Sequence, residues 1–222
     1  MLPDQPRFID RADAGRQLAR ALGRFAALDP LVLALPRGGV PVAFEVAKAL
    51  HAPMDLILVR KIGAPGHEEF GIGAVVDGSD PQVVLNEEMV AAARVPQSYI
   101  QAETERQLVE LARRRRVYLG DRRPEPTQGR NVIVVDDGIA AGGTTRAALK
   151  ALRRTGARHT ILAVPVASPE ALERLRPEVD EIVCLSAPVP FYAVGLHYRD
   201  FGQTTDAEVT SLMNQARSAA LP

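Results

Sequence analysis

The chain has 222 residues, enough for one domain to bury a full core without disulfide or metal staples. Lys plus Arg and Asp plus Glu each number 27, so net charge gives no ground for steering toward nucleic acid or an anionic membrane. The hydrophobic fraction of 46 % is ordinary for a globular protein, and no apolar run approaches the ~18 residues of a membrane span. MLPDQPRFIDRADAG lacks a basic-then-apolar leader pattern, so the expectation is a soluble, cytoplasmic protein with neither nucleic acid nor membrane as partner. The lone Cys184 has no intramolecular disulfide partner and lies in the apolar run EIVCLSAP, as an inert buried thiol would.

In chain order, Asp10 is placed to cap a helix in which Leu18, Leu22, Phe25 and Ala26 recur at helical spacing. LVLAL, residues 31–35, reads as a short buried strand broken by PRGG. GVPVAFEVAKAL then reads as a helix, and MDLILV, residues 54–59, as a second buried strand. Residues 62–130 have a different rhythm. FGIGAVVDGSDPQVVLN suggests a hairpin turning at GSDP, and QSYIQAETERQLVELARRRRVYLG a long polar helix. This segment is expected to form an inserted flap or hood over the ligand edge of a single domain spanning 1–222. Its run Arg113–Arg116 follows Glu110 at helical spacing, which favours a salt-bridged, solvated face over a nucleic-acid patch.

From Asn131 the alternation resumes. VIVV is a strand, TTRAALKALRRTG a helix stopped by Gly156, and HTILAVPV a strand. PEALERL is a helix opened by proline, EIVCL a fifth strand, and a last helix starts at Thr205. Short, continuously apolar strands alternating with amphipathic helices predict an α/β fold: a parallel twisted sheet of about five strands with helices on both faces.

The stretch VIVVDDGIAAGGTTRAALKAL, residues 132–152, carries the chemistry. Small residues after the strand let backbone N–H groups converge on an anion, Thr144 and Thr145 add hydroxyls, and the helix presents its positive end. Asp136 and Asp137 oppose such a ligand: at ~6 Å and an effective dielectric of about 20, each unit pair costs roughly 3 kcal/mol. A ligand with hydroxyl donors beside its phosphate resolves the conflict. In a ribose 5-phosphate the phosphate fits the loop, and the 2- and 3-hydroxyls donate to the acids in charge-assisted bonds of ~1.5–3 kcal/mol each. A nearby Mg²⁺ offsets the remaining repulsion. No lysine precedes the threonines and no GxGxxG follows a strand, which sets aside P-loop and dinucleotide folds.

VIVVDDGIAAGGTT resembles the phosphoribosyl pyrophosphate motif of type I phosphoribosyltransferases: four hydrophobics, two acids, a small loop, then Gly-Gly-Thr. The agreement in order of strands and loops runs from about Leu31 to Leu185, and the whole chain resembles a bacterial branch of unassigned substrate. The resemblance implies a Mg²⁺-dependent transferase. It would bind 5-phosphoribosyl 1-pyrophosphate and pass the phosphoribosyl group to a nitrogenous acceptor such as a nucleobase, releasing pyrophosphate. A non-catalytic regulator that binds the same donor or a nucleotide is the alternative. By position, Asp136 and Asp137 hold the ribose hydroxyls and, with the pyrophosphate, the metal. Gly138, Ala140, Ala141, Gly142, Gly143 and Thr144 lie along the loop that holds the phosphate. Two positions depart from the pattern. Ala141 stands where a threonine is frequent, and Ala140 where 6-oxopurine enzymes carry an aspartate, which argues against a hypoxanthine–guanine mechanism.

The resemblance also makes PRGG the pyrophosphate loop, with Arg37, Gly38 and Gly39 in contact with the donor. Arg60 and Lys61, taken as the carboxyl end of the second strand, are expected to neutralise the leaving pyrophosphate. The catalytic expectation is therefore Arg37, Lys61, Asp136 and Asp137. Phe191 and Tyr192, after the fifth strand, are candidates to stack on the acceptor ring, Tyr198 is assigned to packing, and His67 on the flap reads as an ordinary loop histidine ahead of an acid–base group. Related enzymes are often dimers, so a homodimer is a further expectation.

Overall fold

A computed structural model describes residues 7–78 and 80–220 of the chain. Asp10 caps α1 (Arg11–Leu22) by accepting from the Asp13 N–H at 2.7 Å, and the buried stripe Ala14, Leu18, Leu22 faces inward. The continuously apolar β1 (Leu31–Ala34) is buried at every position. It runs through PRGG into α2 (Gly39–Leu50), and β2 (Met54–Leu56) follows. After Asn131 come β6 (Asn131–Val135), α5 (Gly143–Arg154), β7 (His159–Val166), α6 (Pro169–Leu175), β8 (Glu181–Ser186) and α7 (Asp206–Ala220). The hood between these halves contributes β3 (Val59–Ala64), β4 (His67–Val76), β5 (Gln82–Leu85), α3 (Glu87–Ala92) and α4 (Gln97–Leu119).

The central sheet has five strands in the order β2-β1-β6-β7-β8, and every pairing is parallel. Leaving β1 the chain turns toward β2, whereas β6 begins the walk the other way. The sheet's switch point therefore lies between β1 and β6, where the loops diverge and leave a crevice. Helices α1, α2 and α7 cover one face with Val32, Ala34, Ile133 and Val135, and α5 and α6 cover the other with Leu31, Leu33, Val132 and Val134. Successive β residues feed opposite cores, which is why these strands read as unbroken apolar runs.

The hood corrects two expectations. MDLILV is not one strand: β2 ends at Leu56, Ile57 and Leu58 form a corner, and Val59 opens β3 in a separate antiparallel sheet, β3-β4-β5. Arg60 and Lys61 therefore sit inside the hood, not at the carboxyl end of a core strand. The predicted hairpin is present as β4–β5, although Ser79 of its expected GSDP turn lies outside the described residues. Hood side chains join both cores, Ile62, Ile72 and Val75 on one side and Ala74, Val76 and Val84 on the other.

The second correction concerns the arginine run. Arg113 and Arg114 both bond Glu110, as helical spacing implies, and Arg113 holds that carboxyl down at about 2. Arg115, in contrast, is buried. It bonds Asp55 of β2 at 2.6 Å, Asp77 after β4 at 2.7 Å and the Leu56 carbonyl at 3.3 Å, tying hood, core and α4 together. Burial raises the Asp77 carboxyl despite this partner. Arg115→Met leaves two buried carboxylates without their cation, and chemical denaturation is expected to show a loss of about 3–5 kcal/mol. Arg113→Met should leave the transition unchanged; equal losses in the two variants would contradict the buried bridge.

Candidate functional site

Helix starts divide the molecule. Asn86 and Ser168 cap α3 and α6 as Asp10 caps α1, and the Thr205 hydroxyl accepts from the Glu208 N–H at the start of α7. α2 and α5 start at Gly38 and Gly142 and have no side-chain cap. Both open at the switch-point crevice; the Gly39 and Val40 N–H groups of α2 donate to the Leu35 and Arg37 carbonyls, α5 has no such cap, and α4, which starts at Pro96, also lacks a side-chain cap. Gly142 has φ +76°, a left-handed turn that a β-carbon disfavours, and it lets the loop double back into α5.

The two glycines of PRGG serve a close approach. A β-carbon on Gly38 would lie 2.0 Å from Asp137 Oδ2, and one on Gly39 would lie 2.7 Å from the Val135 carbonyl and 3.0 Å from Asp136 Cα. Parallel pairing of β1 with β6 brings the loops this close, with Ala34 opposite Val135 and the Leu35 N–H donating to the Val135 carbonyl. The Pro36–Arg37 peptide is cis.

The acid pair is asymmetric. The Asp137 N–H donates to Asp136 Oδ1 at 2.9 Å. Burial above all, then the Asp137 charge, pushes the Asp136 carboxyl well above its usual range, while the Asp137 N–H and the Thr145 hydroxyl pull it back. Asp137 bonds Arg11 Nε at 2.7 Å, and its own carbonyl accepts from the Tyr198 hydroxyl at 2.5 Å. Burial first, then Asp137, drives the Tyr198 phenol far up.

Beside the pair opens a cavity of about 900 Å³. Asp136, Gly138, Ala140, Ala141, Gly142, Gly143, Thr144 and Thr145 form one wall with Arg146 and Lys150 of α5, and β3, β4 and β5 form the other with Glu87 and Glu88 of α3, Lys61 and Gly71 facing the loop. Asp137 lies beside the cavity and is not part of its wall. Gly71 lacks a side chain where the Lys61 stem crosses it: a β-carbon there would lie 2.9 Å from Lys61 Cδ. The two threonines differ, Thr144 being exposed and Thr145 only 2 % exposed and bonded to Asp136.

Other predicted residues lie elsewhere. Strand alternation turns Arg60 away from Lys61, and its Nε bonds Gln107 of α4 at 2.9 Å, so Arg60 does not join the loops. Arg37 is exposed, reaches Asp206 at 3.6 Å at the start of α7, and is absent from the cavity wall. Phe191 stacks on His197 with centroids 5.5 Å apart, and Tyr192 is 60 % exposed; neither lines the cavity. Tyr198 is buried, in keeping with a packing role, and His67 is exposed and also absent from the wall. Arg11 was not anticipated: 126 residues separate it from Asp137, and one arginine in an amphipathic helix carries no local signal. Among the described residues no three His, Cys, Asp or Glu gather as a metal cluster, and no helix is long and apolar enough to cross a membrane.

The family model of the phosphoribosyl transferase domain matches residues 9–199. Two Mycobacterium tuberculosis sequences, provisionally named phosphoribosyl transferases, are 44 % identical over 209 residues, which is 94 % of this chain and 47 % of theirs. The chain thus spans about half the length of these curated relatives. A uracil phosphoribosyltransferase of Kocuria rhizophila is 39 % identical over 61 residues, covering 28 % of this chain and 29 % of its own. The crystal structure of TT1426 from Thermus thermophilus superposes with a TM-score of 0.82 at 45 % identity, covering 94 % of this chain and 98 % of that one.

Gly38→Ala tests the contact between the two loops. The added methyl must displace the Asp137 carboxylate or the turn, and thermal or chemical unfolding is expected to register about 1–3 kcal/mol of overpacking. Gly66→Ala, at a glycine with open space around it but φ +72°, provides a backbone-strain control away from the pair. An unperturbed Gly38→Ala protein would show that the loops do not meet.

Proposed function

The chain belongs to the phosphoribosyl transferase domain family, and from that premise we propose that it is a phosphoribosyltransferase using 5-phosphoribosyl 1-pyrophosphate and Mg²⁺. The observation that carries this is the uncapped start of α5, which opens into a cavity shared with Asp136 and Lys61. The N–H groups of the 138–145 loop hold the 5-phosphate, and Asp136 and Asp137 accept from the ribose hydroxyls. Lys61 faces the leaving pyrophosphate from the hood. Arg37, exposed on the neighbouring loop, reaches it by exchanging its long contact with Asp206. The 62–130 hood covers the donor and limits water access.

Mg²⁺ is commonly held by one or two carboxylates plus substrate phosphates, which suits Asp136 and Asp137 side by side; Glu87 and Glu88 also line the cavity, and no three His, Cys, Asp or Glu among the described residues gather as a metal cluster. Bound there, it would spread the negative charge of the diphosphate. The side chains do the positioning. The C1–O bond breaks with its electron pair leaving on pyrophosphate, and a nitrogen of the acceptor forms the new bond to C1 with its lone pair and gives up its proton to solvent. Positive charge that develops on the sugar ring lies near the two aspartates. A nucleobase as acceptor draws support from the uracil phosphoribosyltransferase match, and Phe191 and Tyr192 reach it only if their loop moves toward the cavity.

A second proposal, a regulator that binds the donor or a nucleotide without turnover, draws on Ala140 and Ala141. Both line the cavity and bring no carboxylate for proton transfer. Pyrophosphate release, measured with donor and Mg²⁺ across a panel of nucleobases, separates the two. Release with at least one base is expected for the transferase, whereas tight donor binding without release from any base favours the regulator. Asp136→Asn is expected to weaken donor binding in calorimetry about ten- to hundredfold, the equivalent of one charge-assisted bond. Unchanged affinity would remove the acid pair from the site.

A further inference from the structure

Asp137 is gripped by an arginine from the first turn of α1. Arg11 Nε bonds Asp137 Oδ2 at 2.7 Å, and Arg11 Nη1 bonds the Gly202 carbonyl at 2.6 Å. Its guanidinium lies 3.9 Å from the centre of the Phe201 ring, which in turn packs 5.0 Å from Tyr198. Both side chains of the ion pair are 13 % exposed, so this is a part-buried fixture and not a loose surface pair. The planar fork is divided among three different partners, which fixes its orientation. Only one nitrogen goes to the carboxylate, so Asp137 keeps acceptor capacity for another donor. The backbone of Gly38 closes the same carboxylate from the pyrophosphate-loop side.

We infer that Arg11 is a positioning residue for the sugar donor: by pinning Asp137 beside Asp136 it keeps the hydroxyl-accepting pair assembled before the donor arrives. Without this cation, neighbouring carboxylates repel and Asp137 is free to rotate away from its partner. Through Gly202 and Phe201 the same guanidinium joins the pair to the C-terminal segment. The inference rests on the donor proposal made above. It adds a residue from the far end of the chain that never touches the donor itself.

The test compares wild type, Arg11→Lys, Arg11→Gln and Arg11→Met by calorimetry with two probes, the sugar donor with Mg²⁺ and inorganic phosphate alone. Donor affinity is expected to fall in the order wild type, Lys, Gln, Met, with Met about ten- to hundredfold below wild type and Lys retaining most of the binding. Phosphate affinity, set by the 138–145 loop, should stay constant across the series. Lys and Gln carry the comparison should the methionine variant not fold. Donor affinity unchanged in all folded variants, or donor and phosphate falling together, overturns the positioning role and leaves Arg11 as a structural strap. Wild-type protein that binds phosphate but not the donor sinks the donor proposal instead, and this inference with it.

Discussion

Two glycines lie against two carboxylates, and the site is organised around that contact. Gly38 and Gly39 stand where a β-carbon would strike Asp137 or the backbone at Val135 and Asp136. The approach is possible because β1 and β6 are neighbours in parallel register, so the loops leaving their carboxyl ends begin side by side. It occurs at the one place in the sheet where successive crossovers part. A side chain at either glycine would wedge the loops apart.

The charges around this contact are arranged unequally. Asp136 faces the cavity and Thr145, within reach of the uncapped start of α5. Asp137 is tied to Arg11, and its backbone to Tyr198. One carboxyl is thus raised by burial and by its neighbour, while the other has a dedicated cation. The start of α5, Lys61, Arg146 and Lys150 bring positive charge to the cavity, and Asp136, Glu87 and Glu88 bring negative charge, with Arg11 held behind on Asp137.

The hood divides its charges in the same way. Alternation along β3 sends Lys61 toward the loop and Arg60 toward α4, so adjacent cations serve different purposes. Gly71 leaves room for the lysine stem. Behind the sheet, Arg115 bridges Asp55 and Asp77, so the hood's outer helix, its hairpin and the edge strand of the core share one buried ionic joint. Such a joint contributes less to net stability than to keeping the parts in one arrangement, because desolvation offsets much of its attraction.

Local pattern in the sequence determined the α/β rhythm, the five core strands, the β4–β5 hairpin, the long α4 and the glycine-rich loop beside two acids. Each depends on residues close together in the chain: apolar runs of strand length, caps three residues from their targets, a glycine where φ is positive. Only the tertiary structure decided which charges meet. It placed Arg11 on Asp137 across 126 residues and Arg115 on Asp55 across 60, broke MDLILV at Leu56, and turned Arg60 away from its neighbour. It also set Phe191 against His197 and left Tyr192 in solvent. Periodicity records which face of an element is apolar, but an arginine reads the same in sequence whether it meets water or a carboxylate from a distant strand. The partner is chosen by how the elements stack, and that packing has no local signature.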